Sequence, residues 1–230
     1  MDVEIFKGPD ELAIGAADLI AAAFDDSGGR CDIGLAGGST PQATYARLRT
    51  RDIAWGGIDV WLSDERWVPP DSEDSNGHQA ERSLLEGFEP ATFLRPRHSE
   101  QLEPADSAAY YEARLRSVIG ERPKLVLLGM GTDGHTASLF PGTAAIDDTS
   151  ERWFVANHVP QLDTWRLTVT PHLLEISEVI VVIVSGGAKA DVLAEVIERP
   201  EGRYPIELLH RSSGSVTVLC DRDAAASLSG

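Results

Sequence analysis

The sequence predicts an α/β fold: a mostly parallel sheet with helices on both of its faces. Three observations carry this prediction. Short apolar runs such as residues 125–128 and Val179–Val184 have the pattern of strands buried on both faces. Segments with apolar residues at helical spacing alternate with them along the chain. Several of the runs end in glycine-rich turns, where the carboxyl ends of the strands would lie. The 230 residues show no composition shift marking a linker and no long-period repeat, so 1–230 reads as a single domain.

Taken in order, residues 3–6 read as the first strand. Residues 9–24 follow as a helix, with Leu12, Ala16, Leu19, Ile20 and Ala23 at helical spacing. Residues 25–30 read as a turn, and 31–36 as a second buried strand. That strand ends in Gly37-Gly38-Ser39-Thr40-Pro41, with Pro41 suited to the first position of a helix over 42–49. Ile58–Leu62 is a third strand, running into Ser63-Asp64-Glu65-Arg66. A polar loop over 69–75 precedes a helix reaching about Leu85, capped by Asp74 or Ser75. Residues 89–103, with Pro90 and Pro96, read as loop with a short edge strand around Phe93. An amphipathic helix over 105–119 leads into the strand at Leu125. Further strands are expected at 153–156 and 166–168, then a short helix at Pro171–Ile176 with proline in its first turn. Val179–Val184 precedes Ser185-Gly186-Gly187-Ala188-Lys189 and a helix to about Ile197. Residues 216–220 form the last strand.

With 42% hydrophobic residues the chain can bury a sizeable core. Its 37 acidic against 20 basic residues give a net charge of −17, which repels nucleic acid and anionic membrane. An anionic ligand would therefore need a local basic pocket, which makes the placement of the only lysines, Lys7, Lys124 and Lys189, informative. Cys31 and Cys220 lie in apolar strand-like runs without a CxxC partner and read as buried thiols. The first residues lack a basic region followed by an apolar core, and no apolar run approaches membrane-spanning length. A cytoplasmic protein with no obligate protein partner is the expectation.

The chemistry concentrates in residues 124–142, KLVLLGMGTDGHTASLFPG. An apolar strand runs into Gly129, Gly131 and Gly134, which free the backbone to turn sharply. His135 follows, at the start of an expected short helical turn that Pro141 and Gly142 stop. Residues 129–134 also match the dinucleotide fingerprint G-x-G-x-x-G. That fingerprint needs a full helix after the third glycine and an acidic residue roughly 20 positions on. Here the helix is cut short and residues 153–157 end without a carboxylate, so no nicotinamide cofactor is expected.

Three other loops share the expected carboxyl edge. Gly37, Gly38, Ser39 and Thr40 are equally consistent with a phosphate cradle at a helix N-terminus and with a tight, capped turn. In Ser63-Asp64-Glu65-Arg66, Arg66 could fork onto a phosphate and Asp64 accept from sugar hydroxyls; the alternative is a charged surface turn. Lys189, after Gly186 and Gly187, could reach back over the sheet edge as a point charge for phosphate; the alternative is a solvated helix lysine. Arg166 opens a strand and is a weaker candidate. The other histidines, His78, His98, His158, His172 and His210, lack metal-ligand spacing, and Ser138 and Ser185 lack the G-x-S-x-G elbow. No metal and no serine triad are expected.

With these residues in hand, the chain resembles the 6-phosphogluconolactonases of the pentose phosphate pathway. The resemblance covers nearly the whole chain. It rests on GGSTP at 37–41, SDER at 63–66 with DSN at 74–76 and Arg82, LGMGTDGHTASLFPG at 128–142, Arg166 in RLTVT, and GGAKA at 186–190. The related glucosamine-6-phosphate deaminases carry a phenylalanine-asparagine-glutamate run after the histidine, where this sequence has Ser138-Leu139-Phe140. One departure is Gly77 after DSN, where the family often has an aromatic residue. The resemblance implies a Rossmann-like sheet with a smaller appended α/β part. It also implies metal-free hydrolysis of 6-phospho-D-glucono-1,5-lactone, a small sugar phosphate. A lactone carbonyl is already electrophilic, so activated water suffices: His135 would act as general base, with Asp133 placed to orient it. Exposed glycine N–H groups or a nearby arginine would hold the oxyanion. Arg66, Lys189 and the Gly37–Thr40 loop would clamp the phosphate, with Arg166 as a further candidate. The competing readings are a deaminase or isomerase using Asp64 as base, and a non-catalytic sugar-phosphate sensor.

Overall fold

A computed structural model describes residues 1–26 and 30–229. Of the turn expected at 25–30, residues 27–29 lie outside the described residues. Seven strands form the main sheet: β1 (Asp2–Phe6), β2 (Cys31–Leu35), β3 (Ile58–Leu62), β5 (Thr92–Phe93), β6 (Leu125–Gly129), β9 (Val179–Val184) and β10 (Ser215–Asp221). Their order is β1-β10-β9-β6-β2-β3-β5, and each neighbouring pair runs parallel. Parallel strands need helical crossovers, and these cover both faces.

The period-two alternation of the central strands divides their side chains between two cores. Leu125 and Leu127 of β6, with Val181 and Ile183 of β9, face helices α1 (Pro9–Asp26) and α2 (Ser39–Leu48). Val126 and Leu128, with Ile180, Val182 and Val184, face the opposite layer. That layer contains α4 (Pro104–Ile119), α5 (Pro171–Ile176) and α6 (Ala190–Glu198). Both cysteines are buried. Among the described residues, no helix is long and apolar enough to cross a membrane.

The appended part is built on a three-stranded antiparallel sheet, β4 (Asp64–Arg66), β8 (Thr164–Val169) and β7 (Phe154–Val159), in the order β4-β8-β7. Tyr111 and Leu115 of α4 pack with Phe154 and Leu167 from its strands. Ser63 is where the chain passes from one sheet to the other. Its N–H and hydroxyl both donate to the Leu35 carbonyl, while its own carbonyl accepts from the Val169 N–H.

Three expectations need correction. Ser63-Asp64-Glu65-Arg66 is no surface turn: Asp64, Glu65 and Arg66 form β4, with both carboxylates buried. Pairing with β8 makes this polar triplet a strand, which its composition alone does not announce. Helix α2 begins at Ser39, so Pro41 sits third rather than first. The helix expected to about Leu85 is borne out: α3 (Asn76–Ala80) is capped by Ser75, which accepts from the His78 N–H, and continues as a π-turn over Glu81–Leu85. His135 opens no helical turn. Thr136 and Leu139 form an isolated bridge, with Ala137 held at φ +47° between them.

Candidate active site

The loops after β2, β6 and β9 converge with β4 and β8 on a cleft of about 430 Å³ at the carboxyl edge of the main sheet. This is where open parallel sheets place their ligands. Of the residues singled out from the sequence, Gly37, Gly38, Ser39, Thr40, Asp64, Arg66, His135, Arg166 and Lys189 all line it. Asp133 stands behind His135.

The Asp133 carboxylate accepts from the His135 N–H at 3.2 Å and meets its Nδ1 at 2.5 Å. An ionised carboxylate can only accept, so Nδ1 carries a proton and Nε2 is left as the basic nitrogen. The other side of the ring stacks on Phe140, with centroids 4.2 Å apart and planes at 30°. Gly131 makes room for the pair: a Cβ there would lie 2.3 Å from the imidazole Cε1 and Nδ1. The Gly131 N–H donates to the His135 carbonyl and the Gly134 N–H to the Gly131 carbonyl. Those two amides are spent on the loop itself, so neither is an open oxyanion donor, contrary to the expectation for exposed glycines.

The loop's far end is fixed by polar bonds to the second sheet. The Ser138 hydroxyl donates to Asp64 Oδ2 at 2.7 Å, and the Ser138 N–H donates to the Thr168 hydroxyl. Buried Asn157 donates to both the Ser138 carbonyl and the Thr143 hydroxyl. Asp64 Oδ1 accepts from Asn76 Nδ2 at 3.0 Å. Asp64 thus ties three loops together besides facing the cleft. The Asn76 amide lies so close to Gly37 that a Cβ there would fall 1.9 Å from Oδ1. Beside it, Glu65 accepts from the N–H groups of Arg66, Asn76 and Gly77 and from the Ser75 hydroxyl; burial pushes its carboxyl pKa up. At Gly77, a Cβ would lie 3.1 Å from Glu65 and 3.2 Å from Arg95, so this chain has filled the space around it.

Helix α2 has Gly38 at its N-cap and no side-chain cap, so its N-terminal amide groups face the cleft with the positive end of the dipole. Arg66 and Arg166 are directly opposed across β4 and β8 and therefore project on the same face. Arg66 donates to the Asp74 carbonyl, while Arg166 Nε is buried without a partner. Burial, and then the Arg66 charge, push the Arg166 pKa down. Lys189 closes the 3-10 turn Gly187–Lys189; burial lowers its pKa, against the pull of Asp221. Three cations held in a half-buried cleft, two of them adjacent, describe a place for an anion.

Sequence reasoning missed Asn157, Thr168 and Asp221, and gave Ser138, Phe140 and Glu65 no role in the site. Ser138 and Phe140 stood inside the central motif, where a signal was available. Asn157 and Asp221 sit on strands distant in sequence and carry none.

Fold and cleft together define an α/β protein with a ligand-sized cleft formed by loops at the carboxyl edge of a parallel sheet. The family model described as glucosamine-6-phosphate isomerases/6-phosphogluconolactonase matches residues 7–218, and the chain belongs to that family. It is 34% identical to the 6-phosphogluconolactonase of Rhizobium meliloti (strain 1021) over 223 residues, covering 93% of this chain and 95% of the relative. Identity is also 34% to that of Nostoc sp. (strain PCC 7120 / SAG 25.82 / UTEX 2576) over 239 residues, covering 99% and 98%. Among solved structures, the 6-phosphogluconolactonase of Trypanosoma brucei is similar with a TM-score of 0.90 at 27% identity, covering 99% and 98% of the two chains.

Proposed function

We propose that this chain hydrolyses 6-phospho-D-glucono-1,5-lactone to 6-phospho-D-gluconate, with His135 as general base. The relatives bear the name of that activity across nearly the whole chain. One observation carries the assignment of roles: a carboxylate-oriented imidazole shares a single cleft with Arg66, Arg166 and Lys189.

In this reading the phosphate lies among those cations and the N-terminus of α2, matched in charge and in hydrogen-bond donors. His135 Nε2 removes a proton from water as its oxygen bonds to the lactone carbonyl carbon. The carbonyl electron pair moves onto its oxygen, giving a tetrahedral oxyanion. As that intermediate collapses, the bond to the ring oxygen breaks and the imidazolium returns its proton to the departing oxygen. Asp133 keeps Nδ1 protonated and offsets the charge of the imidazolium, a role expected to be worth orders of magnitude when the tautomer depends on it. With Gly131 and Gly134 committed to the loop, the oxyanion is left to a cationic side chain of the cleft.

The deaminase reading has less support. The deaminases' acidic position corresponds to Phe140, which stacks on His135 and supplies no carboxylate. Asp64, the base that reading requires, is bonded on both oxygens.

Freshly generated lactone, followed by coupled oxidation of 6-phosphogluconate against an enzyme-free blank, tests the proposal. His135→Asn should lower kcat by about 10²–10⁴-fold while 6-phosphogluconate binds almost unchanged. Full turnover by that variant, or loss of turnover and binding together, would remove His135 from the role of base.

A further inference from the structure

Asp221 ends β10, outside the cleft, and the residue is 2% exposed. Its carboxylate nevertheless grips the loop that delivers Lys189. Oδ2 accepts from the Ser185 hydroxyl at 2.5 Å, and the Gly186 N–H lies 3.1 and 3.2 Å from the two oxygens. Oδ1 also accepts from the Ala224 N–H at 2.8 Å, which fixes the carboxylate from its own side. The gripped residues, Ser185 and Gly186, lead into the turn Gly187–Lys189, and Gly186 itself has φ +94°. A charged group buried this deeply is costly unless it is bonded throughout. Here its bonds lead to the segment that carries the cleft's only lysine.

We propose that Asp221 is a positioning residue for the reaction, holding the Ser185–Gly186 loop and the charge of Lys189 so that the ammonium meets the substrate's phosphate. This rests on the lactonase reading above. Two consequences of the geometry support it. The carboxylate ties β10 to the loop after β9, so the loop is set before ligand arrives and binding orders less of it. The same carboxylate opposes the effect of burial on the Lys189 ammonium. The other charged side chains lining the cleft, Asp64, Arg66, His135 and Arg166, come from other loops and strands.

The test is calorimetric titration of 6-phosphogluconate near neutral pH. It compares the unaltered protein with Asp221→Asn, Lys189→Met and the double variant, alongside steady-state kinetics. Asparagine keeps the shape and an acceptor for the Gly186 and Ala224 amides but removes the charge. Asp221→Asn should weaken binding and raise KM by about tenfold, with kcat held within about threefold. In the Lys189→Met background it should change nothing further, because its effect runs through that ammonium. Should Asp221→Asn fail to fold, Ser185→Ala breaks the loop tie alone. It should weaken binding by about threefold, again only when Lys189 is present. Equal losses in both backgrounds, or an unchanged affinity in Asp221→Asn, would overturn the inference. A wild-type protein that does not bind 6-phosphogluconate would overturn the lactonase reading, and this inference with it.

Discussion

Replacing Gly131 by alanine should leave a folded protein with a disabled site. The new Cβ would lie 2.3 Å from the imidazole Cε1 and Nδ1 and 2.7 Å from the Asp133 carboxylate, where ordinary contact begins at 3.4 Å. Both members of the pair must retreat, the ring by about 1 Å, and Phe140 stacks against it at 4.2 Å. A misplacement of about 1 Å at a reacting group is worth about 10²-fold in rate, or roughly 2.7 kcal/mol of transition-state stabilisation. Stability should move little, because Gly131 has an ordinary φ and alanine restricts the unfolded chain. The assay pairs coupled turnover with thermal melting and 6-phosphogluconate titration. The expected result is a melting temperature near that of the unaltered protein, intact product binding, and kcat reduced about 100-fold. If Gly131→Ala retains turnover within about threefold while folding normally, the position of this imidazole does not limit the reaction. The general-base argument then fails.

Arg166→Met should raise the stability of the ligand-free protein by roughly 0.5 kcal/mol, because it removes a like charge opposite Arg66. If Arg166 donates to the phosphate as proposed, KM should also rise by about tenfold or more; urea titration and kinetics check the two signs separately. Asp32, buried in β2 beside Asp59 of β3, is pushed up to about 6 by burial, despite hydrogen bonds from the Trp61 indole and the Lys124 N–H. Its folded pKa lies above the unfolded value, so its contribution to stability is complete below about pH 4 and is lost as pH rises to about 6. The loss amounts to about 3 kcal/mol. Asp32→Asn should flatten that part of the pH–stability curve in urea titrations; a slope identical to that of the unaltered protein would show that Asp32 does not titrate there. Ala137→Gly should stabilise the fold by about 1 kcal/mol, since φ +47° suits glycine better than alanine, and a lower melting temperature would count against strain at that turn.

What could be read from the sequence follows the reach of each signal. The main sheet was legible because strands such as Val179–Val184 are buried on both faces and need no partner information to be recognised. The site's outline was legible for a related reason: parallel strands put every βα loop on one edge, so GGSTP, the His135 loop and GGAK had to meet. Strand β4 was not legible. Asp64, Glu65 and Arg66 carry no apolar alternation, and their extended form is imposed by β8, about a hundred residues later in the sequence. The form of the His135 turn was hidden as well, because it depends on Asn157 and Thr168 from strands of the second sheet.

The second sheet also explains why an imidazole on a glycine-rich loop can be held in place. Glycines give the backbone freedom, which works against a preorganised base. The loop recovers rigidity from outside. Asp64 accepts from Ser138 and Asn76, Asn157 donates to the Ser138 carbonyl and the Thr143 hydroxyl, the Thr136 hydroxyl donates to the Gly129 carbonyl, and the Ile206 N–H donates to the Gly134 carbonyl. The bonds from Asn157 and Ile206, and those of Ser138 to Asp64 and Thr168, join the loop to elements packed in the core. The ordering cost is therefore met on folding, and the imidazole–carboxylate pair is aligned before any substrate enters. On this argument Asp64 matters mainly as the tie between β4, the His135 loop and the start of α3. A substitution there should loosen the cleft as a whole, lowering kcat and affinity together, whereas changes at His135 should separate them.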